Sequence, residues 1–469
     1  MIMKISVGAA VLVLPFLVVP DASASSASSP SAFGEVRRHL RAFATIAREH
    51  GGNRAAGRPG YDASVAYVVD ELRRAGYRPV VRRFTYPHWA DRITPELAVV
   101  APKPRPYVHA TDFVSMEYAG TGDVTARAVA VDVPKANEAG TAGCEDADFA
   151  SFPRGAVALL QRGACDFGAK AARARAAGAA AVLIYNRPDQ RDLVRGTLGK
   201  QQPLPVVSTS YTVGAALVKE AAGGKLVLHV RTDAGTSSKA GANVLADTRT
   251  GRASRTVVVG AHLDSVPEGP GINDNGTGSA TVLAVASRLA HTRVRNRVRF
   301  AFWGSEEDGL QGSEAYVKSL TKAEKKRIAL ALNFDMLGSV NGIRGIYDGD
   351  GSQGTATAPP AGSAAIERTF RAYYAARGLP TSESPFNGRS DYGPFVKAGI
   401  PAGGMESGAE GVKTLAEAKR YGGKAGDPYD PCYHVVCDTE KNVDYKLLKT
   451  MVAGVEHAVR HFAVRSVRR

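Results

Sequence analysis

Several things are missing from this chain of 469 residues. After its first two dozen residues it has no uninterrupted apolar run long enough to cross a bilayer, so no spanning helix is expected there. Its four cysteines form no C-x-x-C pair, which argues against a Cys₄ zinc site. No G-x-S-x-G elbow is present to support a serine hydrolase, and no G-K-[ST] follows a glycine-rich turn to cradle a phosphate. No repeat of fixed period appears. Nor is there a nucleic-acid motif with interleaved aromatics, so the formal charge of +15 reads as a solvated basic surface, clustered only over Arg460–Arg469. A nucleic-acid partner is not expected.

What is present is ordinary for a folded chain: 44% hydrophobic and 22% charged residues rule out general disorder. The length suggests two domains. Lys4, the apolar run Ile5–Pro20 and Ala22-Ser23-Ala24 together read as a secretory signal peptide over 1–24, too short for a comfortable membrane span. An exported chain with Cys144, Cys165, Cys432 and Cys437 is expected to form two disulfides. Three pairings are open; the sequence-local one, Cys144–Cys165 and Cys432–Cys437, is the simplest.

Apolar spacing predicts helices over about 34–50 and over Tyr61–Ala75, the latter closed by Gly76. Strand-like runs follow at Pro79–Tyr86 and Glu96–Ala101. From about 111 to 235 the texture changes to short β-like runs around one alanine-rich helix, Phe167–Ala177, which reads as a compact insert. From about 236 strands and helices alternate: strands at Arg255–Gly260, Arg297–Trp303, Ala329–Phe334 and Ile400–Met405, helices at Gly276–Leu289, Ala364–Ala376 and Asp444–Phe462. This alternation predicts an α/β three-layer sandwich on a mostly parallel sheet, with sites at the carboxyl ends of its strands.

The chemistry-bearing motifs sit at those ends. They are Gly260-Ala261-His262-Leu263-Asp264-Ser265, Gly271-Ile272-Asn273-Asp274-Asn275-Gly276, Trp303-Gly304-Ser305-Glu306-Glu307 and Asn333-Phe334-Asp335-Met336. A fifth, Asp430-Pro431-Cys432-Tyr433-His434, lies late in the chain. A lone histidine or acid pair is usually a surface feature. Several carboxylates converging on one sheet edge are different, because burying them without a cation is very costly. Imidazole and carboxylate donors with one open position suit catalytic zinc.

The five motifs resemble those of the co-catalytic zinc aminopeptidases, the family of secreted bacterial leucyl aminopeptidases within the transferrin-receptor and glutamate-carboxypeptidase superfamily. The resemblance covers about 34–110 and 236–469, which it implies are one discontinuous zinc peptidase domain. Pro153–Asn186, with Gly163-Ala164-Cys165-Asp166-Phe167 and Ala176-Ala177-Gly178-Ala179, resembles a protease-associated (PA) domain, implying a smaller, mainly β insert over 111–235. Such an insert offers a surface for protein or substrate contact.

Carried over by motif, the resemblance implies two zinc ions acting on peptide substrates. His262 and Asp335 would hold one, Glu307 and His434 the other, and Asp274 would bridge them. Glu306 takes the place of the general base, and Tyr433 that of a tyrosine facing the reacting carbonyl. Asp264 is expected to accept a hydrogen bond from His262 and fix its tautomer. Arg389, in Gly388-Arg389-Ser390-Asp391, is expected to face substrate. Met336, Met405 and Glu406 are expected around the side-chain pocket, where Glu406 is the departure from an apolar lining. Trp89 and Trp303 read as packing residues. Carboxypeptidases and glutaminyl cyclases of the same fold share such ligands and stay open as alternatives. A dead, receptor-like fold would have lost ligands or the base, and all six residues are here.

Overall fold

The computed structural model describes residues 31–133, 141–354 and 358–466; the expected signal segment 1–24 lies outside them. Four strands with buried apolar stretches form the centre of the first sheet: Asn296–Trp303, Arg252–His262, Ile328–Asp335 and Ala402–Glu406, all parallel. Val257–Val259, Phe300–Phe302 and Leu330–Leu332 are buried. That is what covering both faces of a parallel sheet requires.

The strand next to this centre on each side runs antiparallel to it, and Val80–Asp91, beyond Ala234–Asp247, runs in the central direction again. Val80–Asp91 and Ala234–Asp247 add to one side, Gly345–Tyr347 to the other, and Ser382–Ser384 lies parallel beyond it. The eight-stranded sheet is therefore mixed, with the expected parallel order at its centre.

One face packs against Ala32–Glu49, Pro59–Arg74, Gly278–Leu289, Ser363–Ala375 and Tyr445–Val464 through Leu40, Phe43, Leu72, Leu283, Phe370 and Met451. Gly278–Leu289 tolerates burial on nearly every side because glycine, serine and alanine fill so many of its positions. Tyr445–Val464 starts where Asp444 accepts from the backbone N–H groups of Lys446 and Leu447, and it buries a stripe of leucine, valine and methionine. The other face carries Gln311–Ser319 and Tyr392–Lys397 over Trp303, Tyr316 and Phe395. Trp303 is thus a packing residue.

A second eight-stranded sheet belongs to the insert. Gly122–Ala130, Val157–Gln161, Ala181–Tyr185 and Val206–Thr209 run parallel in sequence order. Phe167–Ala176 and Tyr211–Ala221 cover its faces; the second helix was not expected. Glu96–Ala101 and Arg105–Pro106 also join this sheet, by pairing with Val227–Thr232, so it recruits strands from before residue 111. Trp89 packs on the insert core and donates to the Ala119 carbonyl at 3.1 Å.

Both chain crossings between the sheets run through one antiparallel ribbon, Val80–Asp91 against Ala234–Asp247, from Val80 opposite Leu245 to Asp91 opposite Ala234. The disulfides are Cys144–Cys165 and Cys432–Cys437. Among the described residues no helix is long and apolar enough to cross a membrane.

Candidate metal centre and substrate cleft

The carboxyl ends of the central strands bring the predicted donors together. His262 ends its strand, buried, with Nε2 at 3.2 Å from Asp274 Oδ1 and 3.3 Å from Asp335 Oδ1. His434 Nε2 lies 3.1 Å from Asp274 Oδ2 and 3.0 Å from Glu307 Oε2. Asp274 thus gives one oxygen to each histidine. Donors sharing a tetrahedral ion at about 2.0–2.1 Å stand roughly 3.3 Å apart, so both groups have the right size.

Orientation agrees with size. His434 Nε2 and Glu307 Oε1 are buried with no hydrogen-bond partner, although Nε2 lies so near the other Glu307 oxygen. These donors are turned toward a common point rather than toward each other, and the residues fit divalent-cation binding. Glu306 stands beside them, its Oε2 4.0 Å from His262 Nε2, outside either close pair.

Charge points the same way. Burial pushes the Glu306 carboxyl well above the usual carboxylate range, and the nearby Glu307 and Asp335 add to the shift. Burial and Asp274 push Glu307 up to about 7. Burial opposes the charge on Asp274 too, but the close imidazoles of His262 and His434 outweigh it and hold Asp274 below its ordinary value. His434, against the burial that disfavours its cation, is raised to about 10 by Asp274 and Glu307. Four carboxylates around two imidazoles demand added positive charge.

The loops carrying these groups are strained. Ser305, Met336 and His434 have φ of 59°, 51° and 59°, in the left-handed region that costs non-glycine residues about 1–3 kcal/mol. The cluster opens into a cleft of about 80 Å³, lined beyond the donors by Met336, Arg389, Ser390, Tyr392, Glu406 and Tyr433. The Tyr433 ring stacks on His434 at 3.7 Å, and Arg389 reaches the Tyr433 hydroxyl at 3.4 Å while pairing with Glu410.

Residues 243–459 match the family model for peptidase family M28, and residues 124–217 match the PA domain model. An aminopeptidase of Pseudomonas aeruginosa is 45% identical over 420 residues, covering 88% of this chain and 78% of that protein. The probable lipoprotein aminopeptidase LpqL of Mycobacterium tuberculosis is 42% identical over 440 residues, covering 91% and 84%. The chain belongs to peptidase family M28. The solved aminopeptidase from Aneurinibacillus sp. strain AM-1 superposes on 94% of this chain and 96% of its own, with a TM-score of 0.72 at 25% identity. This M28 chain carries its PA domain as the insert.

Two expectations about the M28 site need correction. Asp264 holds His262 through its backbone: Nδ1 lies 3.2 Å from the Asp264 carbonyl oxygen but 3.8 Å from its carboxylate. The carboxylate instead accepts the N–H groups of Glu306 at 3.2 Å and Glu307 at 3.3 Å, so it positions the acid pair. Met405 does not line the cleft. It is buried in the core, where Tyr374 Oη donates to its sulfur at 3.4 Å. Strand alternation sends Met405 and Glu406 to opposite faces.

Other positioning residues escaped sequence reasoning. Arg54 is fully buried and donates to the carbonyls of Leu263, Pro270 and Gly271, tying the His262 loop to the Asp274 loop. Burial lowers it to about 10. Asp438 accepts the N–H groups of Asn273 at 2.8 Å and Asp274 at 3.0 Å. Ser390 donates to Asp335 Oδ2 at 2.6 Å and accepts from Asn333 at 2.8 Å.

Proposed function

We propose that this M28 peptidase is an exported two-zinc aminopeptidase that removes single residues from peptide N-termini. The observation that carries the reading is Asp274, whose two oxygens each meet a different histidine. His262 and Asp335 would hold one ion, Glu307 and His434 the other, with Asp274 shared. When bound, such ions acidify water and polarise a carbonyl. The aminopeptidases among its relatives support the choice of peptide end, and its two disulfides support an oxidising destination.

The protein's own groups divide the remaining work. Glu306, outside both ligand pairs, takes a proton from the attacking water on its carboxylate and passes it to the leaving nitrogen. Its N–H and that of Glu307 are pinned by Asp264, so base and ligand keep separate directions. Tyr433 Oη donates to the carbonyl oxygen as negative charge develops there. Arg389 orients that hydroxyl from 3.4 Å.

The test pairs metal analysis with product analysis. Two zinc equivalents per chain, and stepwise loss of residues from a peptide with a free N-terminus but not from its N-acetylated form, are expected. Shortening from the C-terminus, cyclisation of an N-terminal glutamine, or a metal-free inactive protein would each refute the reading.

A further inference from the structure

Glu406 is an acid on the wall of a substrate cleft, and the register explains how it came there. The strand Ala402–Glu406 lies parallel to Ile328–Asp335, with Met405 opposite Phe334 and Glu406 opposite Asp335. Paired residues on neighbouring strands share a face. Phe334 and Met405 enter the core, so Asp335 and Glu406 both turn to the cleft, which they line together with His262 and Met336. An acid therefore stands in the same cleft as the candidate metal donors, one strand away from Asp335.

Among the described residues no cation forms an ion pair with Glu406. Among those residues Arg389 is the only lysine or arginine lining the cleft; its charge is felt at Glu406, but its ion pair is with Glu410. Its close polar neighbours are the hydroxyls of Ser384 and Tyr347. The Tyr347 hydroxyl is buried and makes no hydrogen bond of ordinary geometry. Hydroxyls can orient a carboxylate but cannot balance it. Opposite Glu406 on the other neighbouring strand is Gly345, whose missing side chain leaves the Glu406 stem room: a Cβ there would stand 3.3 Å from Glu406 Cγ.

Two of the lining residues offer surface for a hydrocarbon stem. Met336 is nearly buried and flexible in shape, and Tyr392 offers a ring. Methionine and tyrosine surfaces beside a carboxylate without an ion-pair partner match a side chain with a long methylene stem and a positive tip. A leucine side chain there would displace water from the carboxylate and give nothing back, which discriminates against it.

Resting on the aminopeptidase reading, we infer that Glu406 sets the substrate class: peptides that begin with lysine or arginine.

The experiment measures kcat/KM for lysyl, arginyl, leucyl and norleucyl 4-nitroanilides in the wild type, Glu406→Gln and Glu406→Leu, each at matched zinc content and melting temperature. Norleucine keeps the stem of lysine and drops its charge. We expect the wild type to favour lysyl over norleucyl substrate by about 10–100-fold. Glu406→Gln should lower that ratio at least tenfold, and Glu406→Leu should reverse it while leucyl turnover rises. A lysyl-to-norleucyl ratio that both variants leave unchanged would overturn the inference and leave the aminopeptidase intact. So would a parallel fall on all four substrates, which would place Glu406 on the α-amino group that all of them share. A zinc-loaded wild type that cleaves none of the four would remove the aminopeptidase reading itself.

Discussion

The two sheets of this chain are built alike and used differently. Each has eight strands, parallel pairs at its centre and helices against its faces. In the insert the strands Val157–Gln161, Ala181–Tyr185 and Val206–Thr209 end in Gln161, Tyr185 and Thr209, none of them a carboxylate or an imidazole. In the M28 sheet the corresponding ends carry His262, Asp335 and Glu406, and Glu306 follows Trp303 by three residues. Topology offers a crevice to both sheets; only the residues placed there make one of them a site. The same contrast holds for buried cations. Arg54 ties two donor-bearing loops together, whereas buried Lys170 in the insert donates to the Ala142 carbonyl.

Substitutions should separate chemistry from stability along this line. The largest effect is expected from Glu306→Gln, which should retain its metal and lower kcat by about 10²–10⁴. In the insert, Leu183→Ala should cost about 2–5 kcal/mol of stability while kcat of the folded fraction holds. Steady-state kinetics beside thermal unfolding would check both. A lost metal in the first variant, or a collapsed kcat in the second, breaks the distinction.

A smaller effect should come from the disulfides, whose loops differ. Cys144 and Cys165 are 21 residues apart and Cys432 and Cys437 are 5 apart. Chain entropy assigns them about 3 and about 2 kcal/mol respectively. Replacing both cysteines by serine should therefore destabilise more in the insert. Only the change at 432 and 437 should weaken metal retention, since Tyr433 and His434 lie inside that loop. Competition with a graded chelator reads the difference.

The smallest effect concerns pH. Burial lowers Lys170 from 10.5 to about 8. Its folded pKa is depressed, so the folded state carries the cost of a buried charge below pH 8 and sheds it as pH rises toward 10.5. Melting curves across that range should show a rising contribution that Lys170→Met removes, with no matching change in the metal site.

Much of this was legible beforehand because strong signals coincided. Apolar strands ending in histidine or acid, three times over, marked the parallel centre and most of the donors. What escaped lacked a local signal. Arg54 sits in a glycine-rich stretch and looks solvated until the loops around Leu263 and Gly271 close over it. Met405 and Glu406 are neighbours in sequence, and only the register against Phe334 and Asp335 says which faces the cleft. The helix Tyr211–Ala221 has Gly214 in its interior, packed so closely on Tyr185 that no side chain would fit. Glu96–Ala101 reads as a strand, but its partner Val227–Thr232 lies far along the chain.

The ribbon between the sheets has an architectural consequence. The chain leaves the M28 sheet at Asp91 and returns at Ala234, and these two residues face each other across one ladder, with Arg92 donating to the Asp233 carbonyl at 2.7 Å just beyond. Entry and exit thus share one doorway. An insert hung this way is a detachable module: a two-residue turn closing Asp91 onto Ala234 would complete an ordinary hairpin and leave the main sheet's strand order unbroken. By the same geometry, another domain whose termini lie close together could be spliced in at that doorway without rerouting the chain.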